Sequence, residues 1–163
     1  MSKRIVLGSL GFVATVFSLA WLFWPSDEER ILTLFEELSE VASKTDDASA
    51  LADAMVVKDF KELFAPEVTI SIRSKARIAG DRSNQELAQL YGRLRIASRR
   101  MGLRHEQLEI LSIEDERASV GVWFFASWTG KGGNVVREDA HSEVELIKVE
   151  GDWKVGQIHY LKR

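Results

Sequence analysis

The chain contains no cysteine, only two prolines and only two tyrosines among its 163 residues. Without cysteine it can build neither a disulfide framework nor a thiolate zinc centre. It has no Gly-x-Ser-x-Gly elbow, no phosphate-cradling glycine loop and no dinucleotide fingerprint, so three common catalytic and nucleotide-binding signatures are missing. Gly130-Lys131-Gly132-Gly133 has the glycines of a phosphate loop, but no helical pattern follows it, and it reads as a turn. A strong charge of one sign is missing too: the formal balance is −3, which argues against nucleic acid as the main partner.

What is present begins with a run of twenty uncharged residues, IVLGSLGFVATVFSLAWLFW, at 5–24. At about 1.5 Å per helical residue the run spans roughly 30 Å, the thickness of a bilayer's hydrocarbon core. Lys3 and Arg4 precede it, and Asp27, Glu28 and Glu29 follow it. This polarity predicts a single-pass anchor in the cell membrane, with a cytoplasmic N-terminus and an extracytoplasmic remainder, periplasmic in a Gram-negative cell. A cleaved signal peptide is the alternative, with Ser18 and Ala20 at plausible cleavage spacing. The expected organisation is an anchor over 1–25 and one domain over 26–163.

Ser26 and Glu29 form a capping box that opens a helix with an apolar stripe of Ile31, Leu34, Phe35, Leu38, Val41 and Ala42. A second helix is expected over about 48–64, with Leu51, Met55, Phe60, Leu63 and Phe64 inward, until Pro66 stops it. Val68, Ile70 and Ile72 then alternate as a strand. Ser83 and Glu86 open a third helix, expected to run to Met101 before Gly102, with Leu87, Leu90, Tyr91 and Leu94 inward. Four strands follow, at about 103–114, 117–129, 134–149 and 153–161, separated by turn sequences. Helices followed by such a meander predict an α+β fold, with about three helices on a curved, mostly antiparallel sheet.

The passage FAPEVTI and the ending EGDWKVGQIHYLKR, in this order of elements, resemble the nuclear transport factor two-like superfamily, which includes SnoaL-like and ketosteroid isomerase-like proteins. The resemblance covers about 27–163. It implies a cone-shaped pocket between helices and sheet, and a homodimer formed sheet to sheet. Family enzymes pair a carboxylate or histidine base with a tyrosine or acid that stabilises an oxyanion; no such set can be matched here residue by residue. Some type IV secretion assembly factors share the layout of one N-terminal helix and such a domain.

The stretch REDAHSEVE offers the best acid–base pair, His141 with Asp139. As a strand it sets Arg137, Asp139, His141, Glu143 and Glu145 on one side and Ala140, Ser142, Val144 and Leu146 on the other. Five ionisable groups are too costly to bury unpaired, so this row is expected to face water or a polar pocket mouth. In GVWFFASWTG both faces are apolar: Val120, Val122, Phe124, Ala126 and Trp128 on one, Trp123 and Phe125 on the other. The second face suits a partner subunit. Tyr91, Trp123, Phe125, Trp128 and His159 are the pocket or interface candidates.

Charge is segregated. Residues 26–72 hold four basic and twelve acidic side chains, 73–104 nine and two, and 105–163 seven and eleven. Arg93, Arg95, Arg99, Arg100 and Arg104 form a basic patch suited to anionic headgroups, to an acidic partner or to pairing with the acidic first helix. His105, His141 and His159 fall on three different strands without metal-ligand spacing, so neither a metal nor a cofactor is expected. Three functions stay open: a membrane-held, non-catalytic binding or assembly module with a protein partner; a small-molecule isomerase, dehydratase or hydrolase; and a binder of a small hydrophobic ligand.

Overall fold

A computed structural model describes residues 25–45, 49–72 and 79–162. The anchor segment lies outside the described residues, among which no helix is long and apolar enough to cross a membrane. The elements are α1 (Asp27–Val41), α2 (Ala50–Glu62), β1 (Phe64–Ile72), β2 (Gly80–Ser83), α3 (Asn84–Ala97), β3 (Ser98–Glu114), β4 (Arg117–Gly130), β5 (Val135–Val149) and β6 (Asp152–Lys162).

Both capping boxes form as the sequence predicts. Ser26 Oγ accepts from the Glu29 amide while Glu29 returns a bond to the Ser26 amide, and Ser83 and Glu86 repeat the arrangement at α3. The six strands make one mixed sheet in the order β2-β1-β6-β5-β4-β3. The β1–β6 pair is parallel and the others are antiparallel. The parallel pair follows from connectivity: β6 returns from the meander to lie beside a strand made before α3. Glu150 and Gly151 both take positive φ, the left-handed pair that a tight two-residue hairpin between β5 and β6 requires. Register shifts in β3, with Gln107 at φ 50, bend the sheet so that it curls around the helices.

The core lies between α1 and the inner face of the sheet. Ile31, Phe35, Val120, Val122 and Leu146 are wholly buried, and Val68, Val144 and Val155 nearly so. The stripe spacing on α1 and the alternation on β4 and β5 place them there. Trp153 of the closing hairpin is buried and donates Nε1–H to Asp27 at 3.0 Å, while Lys148 holds the other Asp27 oxygen at 2.8 Å. The Lys148 bond, and after it the Trp153 bond, holds the Asp27 carboxyl below the usual carboxylate range, against the upward push of burial.

Three expectations are corrected. Leu51 and Met55 do not face inward; they are 74% and 62% exposed, and α2 turns Phe60 and Val57 toward α3 instead. The third helix stops at Ala97 rather than Met101, because Ser98 to Met101 pair with β4 and Met101 exchanges two backbone bonds with Lys44. Its inward face is Leu87, Ala88, Tyr91 and Arg95, with Leu90 and Leu94 each 41% exposed. Pairing gained by β3 overrides local helix preference.

Candidate functional site

The outer face of the sheet carries the ionisable row, as its alternation predicts. His141 pairs with Trp123 across β4–β5, and the rings stack at 4.9 Å and 7°. Asp139 lies opposite Phe125 and is exposed. Phe125 is covered by Arg104, whose guanidinium sits 4.7 Å from the ring centroid. Glu143 accepts from Ser119 at 2.9 Å, and His159 Nε2 lies 3.9 Å from Glu145. A shallow groove of about 310 Å³ runs past Arg104, Phe125, Arg137 and Asp139. His141 and Asp139 therefore stand on an open sheet surface rather than in the cone. Trp128 follows the inner parity, beside Met101 and Val136, and is half-buried.

The larger cavity, about 730 Å³, lies at the other side of the molecule, between α2, α3 and the β4–β5 turn. Its walls are apolar: Ala50, Ala54 and Val57 from α2, and Gly92 and Ile96 from α3. The helices cross closely at Gly92, where a Cβ would stand in van der Waals contact with Val57, at 3.5 Å. Its floor is charged. Arg95 donates Nε–H to Asp53 at 2.7 Å and Nη1–H to the Ser43 carbonyl at 2.7 Å. Lys44 reaches the other Asp53 oxygen at 3.1 Å and the Arg95 carbonyl at 2.9 Å. The Arg95, Lys44 and Asp53 side chains are only 5%, 10% and 16% exposed.

Tyr91 closes the network from within the helical layer. Its hydroxyl accepts from Arg95 Nη1 at 2.6 Å and donates to the Val41 carbonyl at 2.5 Å, and its ring stacks on Phe60 at 4.1 Å. Burial raises the Tyr91 phenol and keeps it neutral, although Arg95 pulls the other way. Burial also pushes the Asp53 carboxyl upward, but hydrogen bonds from Arg95 and Lys44 outweigh it and hold Asp53 below the usual range. Asp53 is thus a fixed carboxylate, with both oxygens committed to cations.

Among the basic-patch candidates, Arg93, Arg99, Arg100 and Arg104 are at least partly exposed, whereas Arg95 is buried and belongs to the cavity floor. Sequence reading missed Asp53 and Lys44. The four-residue step from Tyr91 to Arg95 was the available signal for Arg95, since it keeps both on one helix face. His105, weighed in the sequence only as a metal ligand, sits on the inner side of β3 against Phe35 and shares a 2.9 Å hydrogen bond with Ser39 Oγ. No cluster of histidine and carboxylate groups able to hold a metal ion occurs among the described residues.

No protein-family model matches the chain, and no curated protein matches it in sequence. Its fold, however, has many solved counterparts. A protein of Kribbella flavida, Kfla4162, is 11% identical with a TM-score of 0.65, over 82% of this chain and 88% of its own. A candidate aromatic ring hydroxylase from Novosphingobium aromaticivorans is 12% identical with a TM-score of 0.64, over 86% and 94%. A candidate dehydratase of the nuclear transport factor two-like family from Streptomyces avermitilis is 12% identical with a TM-score of 0.61, over 82% and 94%. Three helices on a curved mixed sheet therefore make a nuclear transport factor two-like cone, and at these identities the likeness establishes the fold alone.

Proposed function

We propose that the chain is a non-catalytic binding module, held at the membrane by residues 5–24, which takes a small ligand in the cavity between α2 and α3. The observation that carries this reading is that the acid–base candidates and the largest cavity lie on different parts of the molecule. The acid–base candidates Asp139 and His141 lie on the outer face of the sheet, while the carboxylate that borders the α2–α3 cavity, Asp53, is locked between Arg95 and Lys44. A general base needs a lone pair within reach of substrate and a pKa near the working pH; Asp53 offers neither. Structural neighbours named as a candidate hydroxylase and a candidate dehydratase share the scaffold, and scaffolds of this kind host many unrelated tasks.

Two substitutions test the division. Asp139→Asn with His141→Ala should leave ligand affinity at the parent's level, and should cost about 0.5–1.5 kcal/mol of stability for the lost stack on Trp123. A turnover that the unaltered chain performs and this double variant loses would restore the acid–base pair to the centre of the function.

The outer face favours a second role beside ligand binding, the pairing of two copies. Trp123 and Phe125 are only half-buried there, and Leu111, 52% exposed, packs over Gly121 on the same face. Apolar groups clustered at the centre of a sheet face are what a partner covers. Trp123→Glu should then convert a sedimenting dimer to a monomer, and a parent chain already monomeric at tens of micromolar would remove this role.

A further inference from the structure

Resting on the reading of the α2–α3 cavity as a ligand site, we infer the class of ligand: a slender, neutral molecule with an apolar body and one carbonyl oxygen, which accepts hydrogen bonds from Arg95 and Lys44. Two observations carry this, the donors that the floor leaves unspent and the character of the walls. An arginine side chain presents five N–H donors and a lysine three. Arg95 spends Nε–H on Asp53, and Nη1 on the Ser43 and Val41 carbonyls and the Tyr91 hydroxyl. The two N–H groups of its Nη2 meet no acceptor among the described residues. Lys44 bonds the second Asp53 oxygen and the Arg95 carbonyl, which leaves its third N–H.

Both side chains are at least nine-tenths buried, at 5% and 10% exposure, and both border this cavity. A donor shut away from bulk water without an acceptor is costly, most of all on a charged group. The cavity beside these donors is where an acceptor fits. That acceptor is neutral, because the floor has little net charge to offer. Lys44 and Arg95 face Asp53, and the carbonyls of Val41 and Ser43, at the end of α1, and of Arg95, in the last turn of α3, point at the same two cations. Each helix C-terminus is worth roughly half a negative charge, so Asp53 and the two termini about balance the two cations. Arg99 and Lys131 border the cavity as well, but both are exposed, where water and salt screen a charge. A carboxylate would give up its hydration for no net charge in return. A carbonyl gives up far less and meets the same donors.

The walls set the body. Ala50, Ala54 and Gly92 put only small groups on the cavity surface, beside Val57 and Ile96. The two helices approach each other at Gly92, and a slot beside such a contact suits an unbranched chain or one flat ring. A volume of about 730 Å³ falls within the range of small-molecule sites. Ile96 is 66% exposed although it is apolar, and an apolar body lying along it would take that surface out of water. Walls and donors together thus describe an amphipathic molecule whose polar end is an acceptor.

The test uses the full chain in lipid nanodiscs, with methyl resonances of Val57 and Ile96 as local reporters and those of Val120 and Val122 as a check on the fold. Three matched probes are titrated at equal free concentration: benzylacetone, a ketone; butylbenzene, which lacks the oxygen; and hydrocinnamate, the carboxylate. Benzylacetone should shift the cavity methyls with an affinity at least about ten-fold above butylbenzene, the return expected for hydrogen bonds from charged donors. Its carbonyl carbon, labelled with carbon-13, should move downfield on binding. Its affinity should change by less than about two-fold between about 0.05 and 0.5 M salt, as a neutral ligand requires. Ala54→Trp, on an exposed helix surface, should abolish the shifts and leave those of Val120 and Val122 in place. Equal binding of benzylacetone and butylbenzene, or an unmoved carbonyl resonance, would overturn the acceptor class while leaving the cavity as a site. Hydrocinnamate binding about ten-fold tighter than benzylacetone would overturn the neutral class in the same way. Shifts that survive Ala54→Trp, or no shift from any of the three, would overturn both the class and the site.

Discussion

Replacing Arg95 by leucine is expected to destabilise the folded domain by about 3–5 kcal/mol, measured as the loss in unfolding free energy in urea, because it strips a buried carboxylate of its nearest cation. Asp53 would keep Lys44, but the bond from Arg95 Nε at 2.7 Å and the three further acceptors that Arg95 satisfies, on Val41, Ser43 and Tyr91, would all go. The double variant Arg95→Leu with Asp53→Leu should recover part of that loss, since it removes the stranded charge together with its partner. A double variant no more stable than the single one would mean that the network acts by packing and not by charge.

The same network sets an acid limit. The folded-state pKa of Asp53 lies below its unfolded value, so the carboxylate contributes its full stabilisation above the ordinary carboxyl pKa of about 3.9 and loses it as the pH falls through the folded value. Asp27, held down by Lys148 and Trp153, behaves alike. The stability gap between the parent and Asp53→Asn should therefore stay constant from pH 7 to about pH 5 and close below about pH 4. A gap that persists unchanged at pH 2 would show that the Asp53 charge is not what stabilises the site.

How much of this was legible beforehand depends on the range of each interaction. The two capping boxes lie within three residues, and both were readable. The parity of β5 was readable because Val144 and Leu146 alternate with ionisable groups, and burying the wrong side would cost far more than any local preference gains. The closing hairpin was readable from Glu-Gly-Asp-Trp. Arg95 was not, because its carboxylate partner is Asp53, 42 positions earlier, and nothing in a helix pattern says which distant acid will lie opposite. An arginine is then assigned to the surface by default, and Leu90 and Leu94 to the core. Leu51 and Met55 failed for a related reason. The α2 helix buries no residue fully, and Val57 and Phe60 face α3 because they meet Gly92 and Tyr91 there. The short strand β2 carries no alternation in Gly80–Ser83 and exists only because β1 offers an edge.

Phe35→Ala is expected to cost about 3–5 kcal/mol, the range for truncating a large aromatic in a core that cannot fully collapse. Phe35 is wholly buried, with the Phe124 ring stacked at 6.1 Å and the His105 ring tilted against it at 6.0 Å. The sheet behind it is held by continuous pairing from β3 to β6, so its curvature cannot relax to fill the void. The cost carries a functional meaning. In this chain the space between α1 and the inner sheet face, where a cone could admit a ligand, is occupied by its own aromatic ring, and the α2–α3 cavity lies outside it. Removing the ring should open a dry apolar chamber in the cone, and such chambers bind small apolar molecules. Benzene or toluene should then restore stability to Phe35→Ala in proportion to RT ln(1 + [L]/Kd), and leave the parent unchanged. Equal stabilisation of parent and variant would mean that the cone already holds accessible space, and the ligand would have to be sought there as well.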